Sequence, residues 1–375
     1  MKKILLIFSI LLVAVMLVSC APTELKPAEK MEIKEPIKIG FIGPLTGNAA
    51  NVGLNALEGA KLAADEINAA GGINGRMLEI FAEDGICNAK DATNAANKLV
   101  NIDKVPAIVG GACSAETLAA APIAEGKTVM ISPTSSNPAI TTAGDYIFRD
   151  YPSDLFQGKM AAEFAYNELN ARKAATLYCL SDYCVGIRDV FEQVFKELGG
   201  EIVTSESFEM SSRDLRTSLA KIKAAEPDLI FFPAYTDDII TGLKQMKELG
   251  VEAQILGADA WDDPKIFTDA GDAAEGIIYL VPFTPFPEEF KQKVLAITGG
   301  DSVVVGTPQA YDAVYIFADA MKKVGTDPEA IKNALYEMPE YQGVSGSIEF
   351  DENGDLVYAE YAKKTFKNGE LVDYE

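Results

Sequence analysis

Histidine is absent from the 375 residues, tryptophan occurs once, and lysine plus arginine number 33 against 56 acidic residues. Each shortage removes a class of function. Without histidine, the commonest general base and the commonest metal ligand are both missing. A formal net charge of -23 offers no basic surface to a phosphate backbone, so nucleic acid is not expected as a partner. A serine hydrolase lacks both its usual base and a G-x-S-x-G elbow. The glycine-rich stretch "GPLTGNAANVG", Gly43 to Gly53, has no P-loop lysine. "GFIGPLTG" does not carry the dinucleotide spacing, so no nucleotide cofactor is expected. The five cysteines contain no CxxC knuckle, and no metal is expected.

What is present is apolar: 48% of the residues are hydrophobic. That supports a large core, and at this length more than one domain. At the N-terminus, Lys2 and Lys3 precede an apolar run from Ile4 to Val18, short for a membrane span and typical of an export signal over residues 1–19. "LVSC", Leu17 to Cys20, resembles the lipobox of bacterial-type lipoproteins. That resemblance implies a lipid on Cys20, a tether over residues 20–36 rich in Pro, Glu and Lys, and a protein facing the periplasm or the cell exterior. Cys87, Cys113, Cys179 and Cys184 remain. An oxidising compartment permits disulfides among them, with three possible pairings. The two local pairings, Cys87 with Cys113 and Cys179 with Cys184, are the economical ones.

From Ile37 the pattern is apolar run, turn, amphipathic helix. "IKIGFIG", "MLEIFAED", "AIVGG", "TVMIS" and "YIF" read as strands, with helices at Ala56–Ala70, Ala89–Ile102 and Ser114–Glu125 between them. A second set begins near Pro152. Its strands are "AATLYC", "EIVTSESF", "DLIFFPAY" and "AQILGAD", alternating with helices at Leu155–Ala171, Val185–Leu198, Asp214–Ala225 and Ile239–Leu249. Strands alternating with helices of this length predict parallel sheets covered on both sides. The expected fold is α/β with two Rossmann-like lobes. The stretch from "GIIYLVPF" onward is too small for a third core and is expected to complete both lobes. Residues 37–149 plus 284–352 then form one lobe, and 150–283 plus 353–375 the other, joined by a three-segment hinge.

In open α/β sheets, ligands bind outside the carboxyl ends of the strands. The polar and aromatic loops fall there: Gly43–Gly53, Gly111–Glu116, "SPTSSNP" from Ser132 to Pro138, Ser181–Gly186, Pro233–Asp238 and Gly257–Asp263. Ser114 opens a helix, whose free N–H groups and dipole can hold a carboxylate without lysine or arginine; alternatively it only caps that helix. Ser135 and Ser136 stand beside Asn137-Pro138, as a second hydroxyl seat or as a plain turn. Asp259 directly follows a strand, with Tyr183 and Tyr235 on neighbouring loops. It offers a counter-charge for an ammonium group in a dry cleft, or simply a turn aspartate. Carboxylate on one lobe and ammonium on the other describe a free amino acid, and give the lobes a reason to close.

With these residues in order, the chain resembles the solute-binding proteins of the branched-chain amino acid (Leu/Ile/Val) ABC transport family, with the type I periplasmic-binding-protein fold. The matching stretches are "GPLTG", "GLNALEGAKLAADEINAAGGING", "CSAET", "ISPTSSNP" with "FRDYPSDLFQG", and "ILGADAW". The resemblance implies carboxylate contacts from Ser114, Ser135 and Ser136, cleft tyrosines at Tyr183 and Tyr235, and an ammonium partner at Asp259. It implies a Cys87–Cys113 disulfide, an ABC permease as partner, and no bond chemistry. The sequence departs from the pattern at Asn51-Val52, where the branched-chain binder has an aromatic residue, at Asp259, one methylene shorter than glutamate, and at the extra Cys179–Cys184 pair. Binding of an amide, a urea-like solute or an aromatic acid, and a sensing role for the same cleft, are the competing expectations.

Overall fold

The structure is a computed structural model and describes residues 35–300 and 302–374. The signal, Cys20 and nearly all of the expected tether lie outside the described residues. Among the described residues no helix is long and apolar enough to cross a membrane.

Fourteen strands are described. The first sheet holds β1 (Ile37–Gly43), β2 (Leu78–Asp84), β3 (Ala107–Gly110), β4 (Val129–Ser132) and β5 (Ile147–Arg149) in the order β2-β1-β3-β4-β5, all parallel. The second holds β6 (Lys173–Cys179), β7 (Glu201–Phe208), β8 (Leu229–Phe231), β9 (Gln254–Gly257) and β10 (Ile278–Pro282). A short ladder pairs β11 (Tyr341–Gln342) with β12 (Ser347–Ile348). Then β13 (Tyr361–Lys367) and β14 (Glu370–Asp373) return to the second sheet, whose order is β14-β13-β10-β9-β8-β6-β7. Only β13 runs against the other strands within it, so its pairings with β10 and β14 are antiparallel.

The inner strands β1, β3 and β4 are buried on both faces and largely apolar rather than alternating, whereas the edge strand β2 carries Glu79, Glu83 and Asp84 and is mostly half-buried. The period of two still sorts the side chains. Ile37, Ile39, Phe41, Val109 and Ile131 pack one face, against the Ala50–Ala69 and Thr307–Val324 helices. Ile42, Ile108 and Met130 pack the other, against Ala95, Leu99, Ala120 and Ala124. The second sheet has its own core around Leu177, Phe191, Ile230, Phe231, Leu256 and Leu280. Gly59 lets the Ala50–Ala69 helix meet the Thr307–Val324 helix closely: a Cβ there would strike the Thr307 carbonyl.

The chain passes between the two sheets three times: after β5, after β10, and between β12 and β13. The first and third passages are tied together. Arg149, fully buried, bonds Asp355 through Nε and Nη2, at 2.7 Å each. Its remaining donors meet the Asn137 carbonyl and the Thr141 hydroxyl, and its backbone N–H donates to the Gly354 carbonyl at 3.0 Å.

Several helices begin earlier than the hydrophobic period alone indicates. The helices expected from Ala56, Val185 and Ile239 start at Ala50, Asp182 and Thr236. Their first turns are built from the polar loop residues, for instance Ser181, which caps its helix by accepting from the Cys184 N–H at 3.2 Å. A short helix at Pro264–Ala270 and the strand β14 were not expected at all.

Candidate ligand-binding site

The carboxyl ends of β1, β3 and β4 face those of β6, β8 and β9 across a cleft. Pro44, Ala49, Val52, Ala112, Cys113, Ser114 and Thr134 line it from the first lobe; Tyr183, Tyr235, Thr236, Asp259 and Ala260 line it from the second, and Val305 closes one side. The enclosed space is about 40 Å³, far below the roughly 300–1,000 Å³ of an ordinary small-molecule pocket. A solute the size of an amino acid enters only if the lobes part.

On the first lobe, a helix starts at Ser114. Glu116 and Thr117 N–H groups already bond the Cys113 carbonyl, whereas those of Ser114 and Ala115 precede any intrahelical acceptor. The Ser114 hydroxyl oxygen accepts from the Ser136 N–H at 3.3 Å and the Asn137 N–H at 3.2 Å, so it sits between the two loops. Beneath it, Glu116 accepts from the N–H groups of Cys87 (3.0 Å) and Cys113 (2.9 Å). Burial pushes the Glu116 carboxyl up to about 7, against the pull of those two N–H donors. Disulfides join Cys87 to Cys113, with Cα atoms 5.2 Å apart, and Cys179 to Cys184, at 5.6 Å. The first braces the loop that carries Ser114 and the second the loop that carries Tyr183. Glu116 and the first pair form a group of three potential metal ligands, but their two sulfurs are bonded to each other.

The run of hydroxyls in "SPTSSNP" has a different use from the one its composition points to. Ser132 and Ser135 both donate to the Gly111 carbonyl at 2.7 Å, and Ser135 also meets the Thr117 hydroxyl at 2.7 Å. Thr134 donates to the Ala112 carbonyl at 2.6 Å. Ser136 donates to Asp154 Oδ2 at 3.0 Å. Ser135 and Ser136 are buried and do not line the cleft; they fasten the β4 loop to the β3 loop and to the first interlobe passage. Thr134, which lies beside them, does line it.

On the second lobe, Asp259 accepts from the Tyr183 hydroxyl at 2.7 Å and the Tyr151 hydroxyl at 2.9 Å, one on each carboxylate oxygen. The Tyr183 and Tyr235 rings lie 5.6 Å apart. Asp154 is buried nearby, and its Oδ1 has no partner among the described residues. Burial pushes both carboxyl groups above the usual range, and the Asp259 charge pushes Asp154 further. Of the two, Asp259 is the better supported as a carboxylate, because two tyrosine hydroxyls pull against its burial where Asp154 has one serine hydroxyl. Sequence reasoning missed Tyr151 and Asp154. Both sit in "RDYPSD" at the crossing between lobes, where no periodicity points a side chain toward a site.

Three asparagines of the first lobe reach across the cleft. Asn48 donates to Asp238 at 2.6 Å and accepts from the Asp237 N–H at 2.9 Å. Asn51 donates to Asp263 at 3.0 Å. Asn137 donates to the Asp182 carbonyl at 2.5 Å. Asn51 thus ties the first loop to the opposite lobe.

Residues 36–362 match the family described as periplasmic binding protein. The chain belongs to that family. It is 32% identical over 329 residues to the leucine-, isoleucine-, valine-, threonine- and alanine-binding protein of Pseudomonas aeruginosa, covering 86% of this chain and 87% of the relative. Among solved structures it is similar to a leucine binding protein of Thermotoga maritima, with a TM-score of 0.82, 29% identity, and 90% and 98% of the two chains covered. It is equally similar in fold to a branched-chain amino acid transporter substrate binding protein of Streptococcus pneumoniae in complex with isoleucine, with a TM-score of 0.81, 30% identity, and 90% and 100% covered. Membership of this family makes the chain an extracytoplasmic solute-binding protein and supports a non-enzymatic role.

Proposed function

We propose that this protein captures a free amino acid with an apolar, foremost branched, side chain between its lobes and delivers it to an ABC permease. The observation that carries the reading is the placement of the Asp259 carboxyl group, held by the Tyr151 and Tyr183 hydroxyls, in one cleft with the Ser114 helix start. The α-carboxylate is assigned to the Ser114 hydroxyl and the first-turn N–H groups. The α-ammonium is assigned to Asp259 as a charge-assisted partner. Val52, Ala49, Pro44 and Val305 then receive the side chain, with Tyr235 and Tyr183 as aromatic walls. The names of the relatives agree with a branched-chain solute.

Neither lobe satisfies both charges, so binding and closure are one event. The lobes are assigned as 37–149 plus 284–352 and 150–283 plus 353–375, rotating on Arg149–Tyr151, Pro282–Pro285 and Asp351–Gly354. In the same proposal the signal is cleaved before Cys20, a lipid on that cysteine holds the protein at the membrane, and residues 20–36 give it reach toward the permease.

The experiment is a binding screen of the soluble chain from Ala21, unfolded and refolded to remove carried-over solute, against the twenty amino acids, amides, urea and aromatic acids. A ligand that binds only the folded state raises its melting temperature. The expected result is a shift with leucine, isoleucine or valine. No shift with any amino acid, and one with a neutral amide or an aromatic acid, overturns the charge-pair reading.

A further inference from the structure

The cleft encloses about 40 Å³ and must gain room before a solute fits, but its walls are not equally free to yield. Tyr183 is bonded to Asp259, Thr236 to Asp263 and Thr134 to the Ala112 carbonyl, and Cys113 is tied by its disulfide. Val305 is different. It stands half-buried in the loop before the Thr307–Val324 helix, and its side chain has no polar atom to anchor it. Beside it lies a second cavity of about 470 Å³, within the range of an ordinary small-molecule pocket. Among the described residues, Val305 is the one that lines both spaces.

The backbone on either side of Val305 is held. The Thr307 N–H donates to the Val304 carbonyl at 3.2 Å, and the Gly306 N–H donates to Gln309 Oε1 at 3.2 Å. Gly306 has a φ of +86°, a left-handed conformation suited to glycine, and a Cβ there would come within 2.6 Å of the Thr134 methyl group. With the loop pinned on both sides, the Val305 side chain is left as the divider between the two spaces. The second cavity is apolar over much of its wall, from Val281, Pro282, Phe286, Val304 and Pro308. The two lysines that line it are already paired, Lys363 with Glu168 at 2.6 Å and Lys364 with Asp262 at 2.8 Å. It offers room to an uncharged chain rather than a seat for an anion.

We propose that Val305 is the specificity-determining residue of the cleft: it ends the side-chain pocket, so that branched aliphatic side chains are accepted and aromatic ones refused, and the cavity beside it is the room that a longer side chain takes once the divider is made smaller. The assignment rests on the amino-acid reading of the cleft, in which Ser114 and Asp259 hold the two charges and only the side chain is left to be sized. One methylene in an apolar pocket changes discrimination by about 10- to 200-fold, so the two γ-methyl groups of one valine are enough to set the limit.

The test titrates alanine, valine, leucine and phenylalanine into the soluble chain from Ala21, into V305A and into V305F, by isothermal calorimetry, each protein first unfolded and refolded to remove carried-over solute. V305A is expected to gain affinity for phenylalanine relative to valine by about tenfold or more. V305F is expected to lose leucine by a similar factor while alanine changes little. Where V305F fails to fold, V305L is expected to shift the leucine-to-alanine ratio in the same direction. If the unmodified chain binds valine or leucine but V305A leaves the phenylalanine-to-valine ratio unchanged, the divider role is overturned and the amino-acid reading stands. Phenylalanine bound by the unmodified chain as tightly as leucine overturns the divider role equally. If the unmodified chain binds none of the amino acids, the amino-acid reading fails and the role of Val305 fails with it.

Discussion

Arg149 and Asp355 meet through two parallel hydrogen bonds of 2.7 Å, Nε to Oδ1 and Nη2 to Oδ2, across 206 residues of sequence. The fork is fixed on one side by a fully buried guanidinium and on the other by a turn whose Asp351 accepts from the Asp355 N–H at 3.0 Å. It joins the first and third passages between the lobes. Breaking one partner of a buried pair leaves the other uncompensated. Arg149→Ala is expected to lower unfolding stability by about 3–5 kcal/mol, measured by urea titration. Arg149→Lys is expected to recover little, since an ammonium cannot reproduce the fork. A lysine variant as stable as the parent would show that charge alone is sufficient.

Asp259→Asn removes the charge but keeps the shape. Affinity for the bound amino acid is expected to fall by about 1.5–3 kcal/mol, roughly ten- to a hundredfold. Tyr151→Phe removes one of the two hydroxyls that hold the carboxylate and is expected to have a smaller effect in the same direction. Calorimetric titration decides it; an unchanged dissociation constant for Asp259→Asn rejects the ammonium assignment.

Ser114→Ala and Ser135→Ala separate binding from bracing. The Ser135 hydroxyl bonds Gly111 and Thr117 and does not line the cleft. Its loss is expected to lower stability by about 1–3 kcal/mol with little change in affinity. Ser114→Ala is expected to do the reverse and weaken binding. Paired melting and titration experiments check both halves, and equal loss of affinity in the two variants would contradict the distinction.

Acidity offers another handle through Glu116. Burial pushes it up to about 7 in the folded protein, above the ordinary glutamate value of 4.5. A carboxyl raised on folding takes up protons with the folded state. Its contribution is therefore full below about pH 4.5 and is lost as pH rises through about 7. Asp238 and Asp312, both pushed by burial to about 6, act in the same direction. Unfolding stability is expected to decline between pH 5 and pH 8, and Glu116→Gln to remove about 2–3 kcal/mol of that slope. An identical pH profile for the variant would contradict the assignment.

The disulfides differ in what they constrain. Cys87–Cys113 spans 26 residues and Cys179–Cys184 only 5. In the chain-entropy account the longer loop contributes more. Replacing Cys87 and Cys113 together by alanine is expected to cost about 2–4 kcal/mol, and the same change at Cys179 and Cys184 less, as read from denaturant midpoints.

The alternation of apolar runs and amphipathic helices was enough to place the two sheets and the loops at their carboxyl ends. Asp259, Ser114, Tyr183 and Tyr235 were readable because each lies directly beyond a strand, where an α/β sheet presents its ligand. Ser135 and Ser136 were assigned to the cleft, but the structure turns them inward. The period of two that orients side chains stops where β4 ends, so adjacent hydroxyls in the loop carry no directional signal. Tyr151 and Asp154 were invisible for another reason. Tyr151 reaches Asp259 from 108 residues away, and no local pattern encodes a contact made by the path between two lobes. The early helix starts were missed because the first turns are made of polar residues that read as loop.

The seam between the lobes is sewn by the amides of Asn48, Asn51 and Asn137, opposite Asp238, Asp263 and the Asp182 carbonyl. Each stitch pairs a neutral donor with an acceptor, so dissolved ions do not dissolve it as they would a row of lysine–aspartate pairs. What ions do screen is the mutual repulsion of two halves belonging to a chain with a formal charge of -23. Added salt is then expected to favour the closed arrangement of the lobes rather than to pull them apart.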